Sequence, residues 1–391
     1  MFGLVVFGGL TRLTESGLSI TEWRPVTGSL PPRNAADWDA EFAKYKLSPE
    51  FKMLNSKMGL EEFKSIYWME WGHRLWGRVV GITFLVPTVY FIVRRRVSRA
   101  MAVRLVGISG LIGFQGMIGW WMVKSGLKDD LFNPGSHPRV SQYRLAAHLG
   151  TAFVAYLAML WNGLAIFREH SLLHTPQKGL EHLSQLQSPA LQPFRRAVLA
   201  LAALTFTTAL AGAFVAGLDG GLVYNNFPWM GDDFLPPKEQ LLDPFYSHTA
   251  PDTNGKHPDL LWRNMLENPI TAQLDHRILG TSTFTAVVAL AAYARFHSGV
   301  RASLPPNAKK ALTAVVGLVS LQVALGISTL WFLVPVWLGA AHQAGALALL
   351  SGVAVLGSRV SAGKRLLGVV ARQAERSTGR VGGVGSRVKV V

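Results

Sequence analysis

Residues 67–81 read YWMEWGHRLWGRVVG and residues 274–284 read LDHRILGTSTF. Both contain His-Arg-x-x-Gly, and His73 and His276 are offset by 203 (276 − 73). Three further pairs keep nearly that offset. RLAAHLGTAF (144–153) pairs with WLGAAHQAGAL (337–347), His148 to His342, at 194 (342 − 148). LIGFQGMIGWW (111–121) pairs with LVSLQVALGIS (318–328), Gln115 to Gln322, at 207 (322 − 115). GGLTRLTESGLS (8–19) pairs with GAFVAGLDGGLV (212–223) at 204 (212 − 8). An offset that drifts only where loops differ in length marks a duplicated chain.

The duplicated segments are apolar. The chain has 391 residues, 49% hydrophobic and only 16% charged, with mean hydropathy +0.25; globular domains average about 25% charged. A membrane span needs about 20 mostly apolar residues. Val79–Val93 with its lead-in, Met101–Val123, Tyr143–Phe167, Ala197–Leu218, Ile278–Phe296, Ala311–Leu333 and Val336–Leu356 meet that need. MFGLVVFGGL at the N-terminus is about half a span and reads as the second half of a truncated helix. The fold class is therefore an all-α polytopic membrane protein, with eight transmembrane helices in two homologous four-helix bundles. Residues 1–170 form the first half, 171–196 an inside linker, 197–358 the second half and 359–391 a basic tail.

The net charge of +16 sits mainly in alternate short connections: Arg94, Arg95, Arg96, Arg99 and Arg104; Arg168, Lys178, Arg195 and Arg196; Arg295, Arg301, Lys309 and Lys310; and a last run from Arg359 to Lys389. The connections between them, above all 219–270, are acid-rich. This is the positive-inside pattern; it places the basic loops and the C-terminus inside, and it argues against nucleic acid as a partner. No cysteine is present, which excludes disulfides, Fe–S clusters and thiolate metal sites. The long outer loops, 13–66 and 219–270, carry Trp23, Trp38, Trp229 and Trp262, which suit an interfacial belt or a ligand cover.

Seven of the eleven histidines (His137, His170, His174, His182, His248, His257 and His297) fall in loops or at helix ends. The other four, His73, His148, His276 and His342, lie within spans near their outer ends, on the second and fourth helix of each half. Two imidazoles on different helices of one bundle can face each other across a metal-centred disc, which is bis-histidine haem ligation. Zinc would gather three or four ligands tetrahedrally, and none of the four has a second His at i+3 or i+4. The spacing therefore predicts two haem sites, one per half. Gly72, Gly77, Gly150, Gly280, Gly339 and Gly345 flank the histidines and would admit a porphyrin face or serve helix packing. Arg74 and Arg277 follow their histidines, where a guanidinium could pair with haem propionates or snorkel to the interface. Glu70, three residues before His73, shares its helix face, whereas the equivalent position in the second half is Gln273. A carboxyl in a dry site beside a porphyrin could act as general base; equally, it could pair with Arg74 at i,i+4.

GGLTRLTESGLSITEWRPVTGSLPP, YWMEWGHRLWGRVVG, PRVSQYRLAAHLG, GLDGGLVYNNFPWMGDDFLPP and LDHRILG with GAAHQAG, within residues 8–347, resemble the haem A synthase family in its mitochondrial form. The resemblance implies an oxidoreductase that converts haem O to haem A for cytochrome c oxidase. It would oxidise a ring methyl to a formyl group by two hydroxylations and loss of water. It implies that His73 and His148 flank the substrate haem, that Glu70 is the catalytic carboxylate, and that His276 and His342 ligate a permanent haem b. It also implies a multi-pass protein of the mitochondrial inner membrane, among its lipid, with the C-terminus in the matrix. The implied partners are a redox partner, haem O synthase and other oxidase assembly proteins, with homo-oligomers left open. The cysteine pair that some bacterial members carry in the first outer loop is absent here. Two other functions fit the histidines alone: a diheme b-type electron carrier with Glu70 structural, and a non-catalytic assembly factor that hands haem on.

Overall fold

The protein is described by a computed structural model over residues 1–132 and 138–384; His137 and Lys389, named above, lie outside the described residues. Seven helices are long and apolar enough to cross a membrane among the described residues. With the short apolar helix at the N-terminus they form the expected series of eight: α1 (Phe2–Leu13), α2 (Leu60–Val93), α3 (Arg99–Ser125), α4 (Gln142–His174), α5 (Leu191–Gly217), α6 (Pro269–Phe296), α7 (Pro306–Trp331) and α8 (Val336–Val360).

The described chain forms two compact units, and these do not follow the two sequence halves. One contains Met1–Tyr156, Thr207–Gly280 and Val323–Leu347; the other contains Leu157–Phe206, Thr281–Gln322 and the chain from Ala348 onward. The first unit thus draws on both halves and carries all four membrane histidines. Within it, α1 packs on α8 of the opposite half. Gln343 Nε2 donates to the Val5 carbonyl at 3.0 Å, and a Cβ at Gly339 would lie 2.9 Å from Leu13. Arg12 reaches Asp219 at 2.8 Å and the Ala216 carbonyl at 2.8 Å, while Arg139 takes the other Asp219 oxygen at 2.8 Å.

The second unit has a continuous apolar core. Leu191, Phe194, Val198 and Leu201 of α5 recur every three or four residues, as do Leu349, Val353, Leu356 and Val360 of α8. All are buried with Val287 and Leu290 of α6 and Val315 and Val319 of α7. That spacing is the stripe one helix presents to its bundle partners. The expected linker 171–196 is largely helical. It holds the end of α4, a helix at Pro176–Leu186 started by its N-terminal proline, and the start of α5. Leu183 and Leu186 on the short helix are fully buried, and Val370 of the C-terminal helix Lys364–Val384 packs at Gly179. The basic tail is thus helical from Lys364 to Val384.

The first outer connection is folded too. Asn34 accepts from Asp37 N and starts a helix at Ala35–Lys46, and Ser48 with Pro49 starts another at Pro49–Met53. Phe42 and Tyr45 stack on Phe63 at ring separations of 5.0 and 5.2 Å, and Trp38 meets Tyr67 edge-on at 5.1 Å. Trp38 is therefore built into this small core, whereas Trp23, Trp229 and Trp262 stay about half exposed.

Glu50 is buried in the same module, where its Oε1 accepts from Tyr45 Oη at 2.9 Å. Burial, reinforced by the nearby Glu70 and Glu15 and only partly offset by Tyr45 and Arg12, pushes its carboxyl up to about 7. A carboxyl raised in the folded state favours folding at low pH. That contribution is full below the ordinary value of 4.5 and is lost as pH rises through about 7, by on the order of 3 kcal/mol. Protection factors of residues 35–67, with the intrinsic pH dependence of exchange divided out, should therefore fall between pH 5 and 8 (about three units, spanning the linkage window) in the wild type but not in Glu50→Gln. Equal pH dependence in both proteins would rule out this assignment.

Candidate haem sites

The four histidines are packed by one repeated device. A Cβ at Gly8 of α1 would lie 2.9 Å from the ring of His73, and one at Gly212 of α5 would lie 3.0 Å from His276. A Cβ at Gly119 of α3 would lie 3.2 Å from His148, and one at Gly326 of α7 would lie 2.9 Å from His342. Each ring thus lies against bare backbone of the preceding helix, and the pairing repeats in both halves. Sequence reasoning named other glycines. Gly72 faces Phe7, Gly150 faces Leu210 and Gly339 faces Leu13, so these serve helix packing. Gly77 and Gly280, each four residues after its histidine, have nothing within 4 Å of where a Cβ would stand. Neither is packed against a neighbouring helix at that point. The signal for the missed glycines was already in the duplication, since Gly8 aligns with Gly212 and Gly119 with Gly326.

In the second half, His276 and His342 face each other with ring centres 6.2 Å apart and planes at 89°. A metal–imidazole nitrogen bond is about 2.0–2.1 Å, so two imidazoles on opposite sides of one metal have centres about 6 Å apart. His276 Nδ1 lies 3.0 Å from the Thr208 carbonyl. A carbonyl only accepts, so Nδ1 carries the proton and Nε2 presents its lone pair. This is the usual outer contact that fixes a ligand histidine. In the first half, His73 Nδ1 is buried without a hydrogen-bond partner, and Phe7 lies at a ring separation of 6.2 Å. Among the described residues, no group of three or more His, Cys, Asp or Glu is gathered to hold a metal ion. The donor set suits an ion that arrives with its own equatorial ligand.

Glu70 is almost fully buried, 3% exposed. Its Oε1 accepts from Arg74 Nε at 3.0 Å and Nη2 at 2.6 Å; its Oε2 accepts from Ser19 Oγ and Ile20 N, both at 2.7 Å. A carboxylate has about four lone-pair sites, and here all four are used. The ion pair with Arg74 is therefore present, and Glu70 also anchors the start of the outer loop. Ser19 has a second acceptor, the Ile66 carbonyl at 3.3 Å, so rotation of one hydroxyl opens a lone pair on Glu70. Gln273 fills the equivalent place with reversed polarity: its Nε2 donates to the carbonyls of Gly220 at 2.8 Å and Tyr224 at 3.0 Å.

Arg74 also donates to the carbonyls of Glu22 and Ile20, at 3.0 and 2.9 Å, so four of its five N–H groups are committed. Arg277 donates to the carbonyls of Trp229, Tyr224 and Asn226 at 2.9–3.0 Å. Both arginines hold an outer loop over the histidine end of their helix. That is a firmer role than the snorkelling considered above.

Residues 1–354 match the family described as "Cytochrome oxidase assembly protein". The chain is 50% identical over 361 residues to Heme A synthase COX15 of Saccharomyces cerevisiae, covering 92% of this chain and 73% of that protein. It is 46% identical over 352 residues to Heme A synthase COX15 of Homo sapiens (90% and 77%), and 43% identical over 350 residues to the Heme A synthase of Nitrosospira multiformis (89% and 87%). The chain belongs to the haem A synthase family. The all-helical, membrane-spanning fold expected for such a synthase is the fold observed. Family members from mitochondria and the apolar helices together make it a multi-pass inner-membrane protein of oxidase assembly, and its activity is that of an oxidoreductase acting on haem.

Proposed function

We propose that this haem A synthase converts haem O to haem A in its first half, residues 1–170, while its second half, residues 197–358, holds a resident haem b. The observation that carries the reading is the opposed pair His276 and His342, whose 6.2 Å ring separation suits an iron between them. When bound, haem b would supply one-electron redox chemistry. His276 and His342 would hold it, with the Thr208 carbonyl keeping the His276 proton on Nδ1 and leaving Nε2 free to bind. His73 and His148 take the substrate haem. The open flanks at Gly77 and Gly280 give a porphyrin room beside the helices, and the remaining N–H of Arg74, with Arg277, meets propionates at the outer end.

Glu70 is the catalytic carboxylate in this reading. The reaction oxidises a ring methyl: its electrons leave to the redox partner this role implies, and Glu70 accepts the proton released with them once Ser19 turns its hydroxyl toward the Ile66 carbonyl. Arg74 then keeps the carboxyl in place through its two bonds to Oε1. Gln273 cannot do this, which supports placing the chemistry in the first half. A redox partner, haem O synthase, other oxidase assembly proteins and a second copy of the chain are the partners this role implies.

Extraction of the pigment from purified protein, followed by reversed-phase chromatography, tests the reading. Haem A or hydroxylated haem O beside haem B is expected; haem B alone, at two per chain, would make the protein a diheme electron carrier. The basic loops and tail support a C-terminus on the matrix side. A protease site inserted within 219–270 should then be cut only from the intermembrane side, and cleavage from the matrix side would reverse the topology.

A further inference from the structure

A cavity of about 1030 Å³ lies between α4, α5 and α8 in the second compact unit, which holds none of the four membrane histidines. That is the upper end of the roughly 300–1,000 Å³ common for small-ligand sites. Its floor is apolar, with Val198 of α5 and Leu350 and Val353 of α8 buried there. Trp161 of α4 and Leu199 of α5 also line it, yet they are 45% and 73% exposed. The cavity therefore opens sideways between those two helices. Leu199 is eight positions into α5 (199 − 191), about 12 Å along the axis at 1.5 Å per residue. At that depth the mouth meets acyl chains and not water. Arg195, four positions before Leu199, places a guanidinium on the same face one turn nearer the helix end. Gln187 and Ser361 complete that polar end, and among the described lining residues none is acidic. Arg195 Nη1 donates to the Leu186 carbonyl at 2.6 Å, which uses one of its five N–H groups.

We propose that this cavity binds one anionic phospholipid from the leaflet beside the basic loops, with its phosphate at Arg195 and an acyl chain entering between Trp161 and Leu199. An apolar cavity of this kind stays dry, and in a bilayer the solvent that reaches its mouth is acyl chain. The order of groups along α5, a guanidinium and then an apolar opening one turn deeper, matches the order of headgroup and chain in a phospholipid. Charge favours an anionic headgroup over a zwitterionic one. Arg168 of α4 adds a second guanidinium toward the same end of the bundle. Its Nη1 donates to the Ser358 carbonyl at 2.5 Å, and its Nη2 is buried without a hydrogen-bond partner. The C-terminal helix Lys364–Val384 starts directly after Ser361, Ala362 and Gly363, which line the rim. It buries Val370 and Ala374 and exposes Arg365, Arg372 and Arg376 against the single carboxylate of Glu375. That division suits an amphipathic helix lying on an anionic membrane surface, and basic pockets between membrane helices suit anionic headgroups.

Native mass spectrometry of the full-length protein in detergent tests the site, with phosphatidylglycerol and phosphatidylcholine of identical chains added in equal amounts. One phosphatidylglycerol per chain should survive detergent conditions that strip phosphatidylcholine. A cationic side chain at an anionic lipid surface is worth about fivefold in affinity. Arg195→Gln should therefore weaken phosphatidylglycerol by at least that factor and leave phosphatidylcholine unchanged. Arg195→Lys keeps the charge and should keep most of the retention, so that a loss confined to Arg195→Gln reads charge and not misfolding. Ala202 lines the cavity, and Ala202→Phe fills it without altering charge, so this variant should retain neither lipid. Equal retention of the two lipids by the wild type, or retention of neither, would overturn the proposal. So would retention unchanged by Arg195→Gln or by Ala202→Phe, or a loss in Arg195→Lys as large as that in Arg195→Gln.

Discussion

His276→Ala is expected to leave the purified protein without its low-spin, six-coordinate haem b. Bis-imidazole ligation needs both axial nitrogens, and His276 is the proposed ligand whose tautomer is held by the Thr208 carbonyl at 3.0 Å. His342→Ala should give the same loss. Gly212→Val should approach it without touching a ligand, because even a Cβ at 212 would stand 3.0 Å from the His276 ring, and a branched side chain must push that ring aside. The measurement is the reduced-minus-oxidised spectrum with haem stoichiometry per chain. Full retention of six-coordinate haem b in His276→Ala would remove this pair as its ligands.

Glu70→Gln should have the second-largest effect, and on a different quantity. General-base catalysis typically supplies about 10²–10⁴ in rate, so the variant should accumulate haem O or a partly oxidised product while retaining haem b. It also turns one acceptor into an NH2 facing donors, since Arg74, Ser19 and Ile20 N all point at the carboxylate. Removing one partner of a buried ion pair costs about 3–5 kcal/mol; an amide that still accepts on one side should cost less. Limited proteolysis of the loop after Leu18 reads that structural part separately. Glu70→Asp should keep some activity, limited by shorter reach. Wild-type output of haem A from Glu70→Gln would reduce Glu70 to an anchor for Arg74 and the loop.

The spans, the duplication and the four histidines were legible because each leaves a local, periodic mark in the chain. Apolar runs set span length, and His-Arg-x-x-Gly recurs at a fixed offset. What the sequence did not disclose is which surface each helix face meets. Gly77 looked like a neighbour of His73 because it lies one turn away, yet the ring packs on Gly8, 65 positions earlier (73 − 8). Ser19 and Ile20 reach Glu70 across some fifty residues, a contact no periodicity encodes. The outer module was read as loop because its helices are short. The boundaries of the two halves followed the duplication, while the compact units follow contacts that cross it.

The packing of α1 on α8 has a consequence for biosynthesis. The bond from Gln343 to the Val5 carbonyl joins residues 338 positions apart, and Leu13 waits for Gly339. At about 5–20 residues per second, the ribosome delivers the second partner roughly 17–68 s after the first. Throughout that interval α1 has neither its final neighbour nor a closed site around His73. Maturation of the first half is thus tied to completion of α8, and an mRNA or ribosome that stops short of it would yield a nascent chain with every first-half histidine present and α1 packed on α2 without its partner across the repeat.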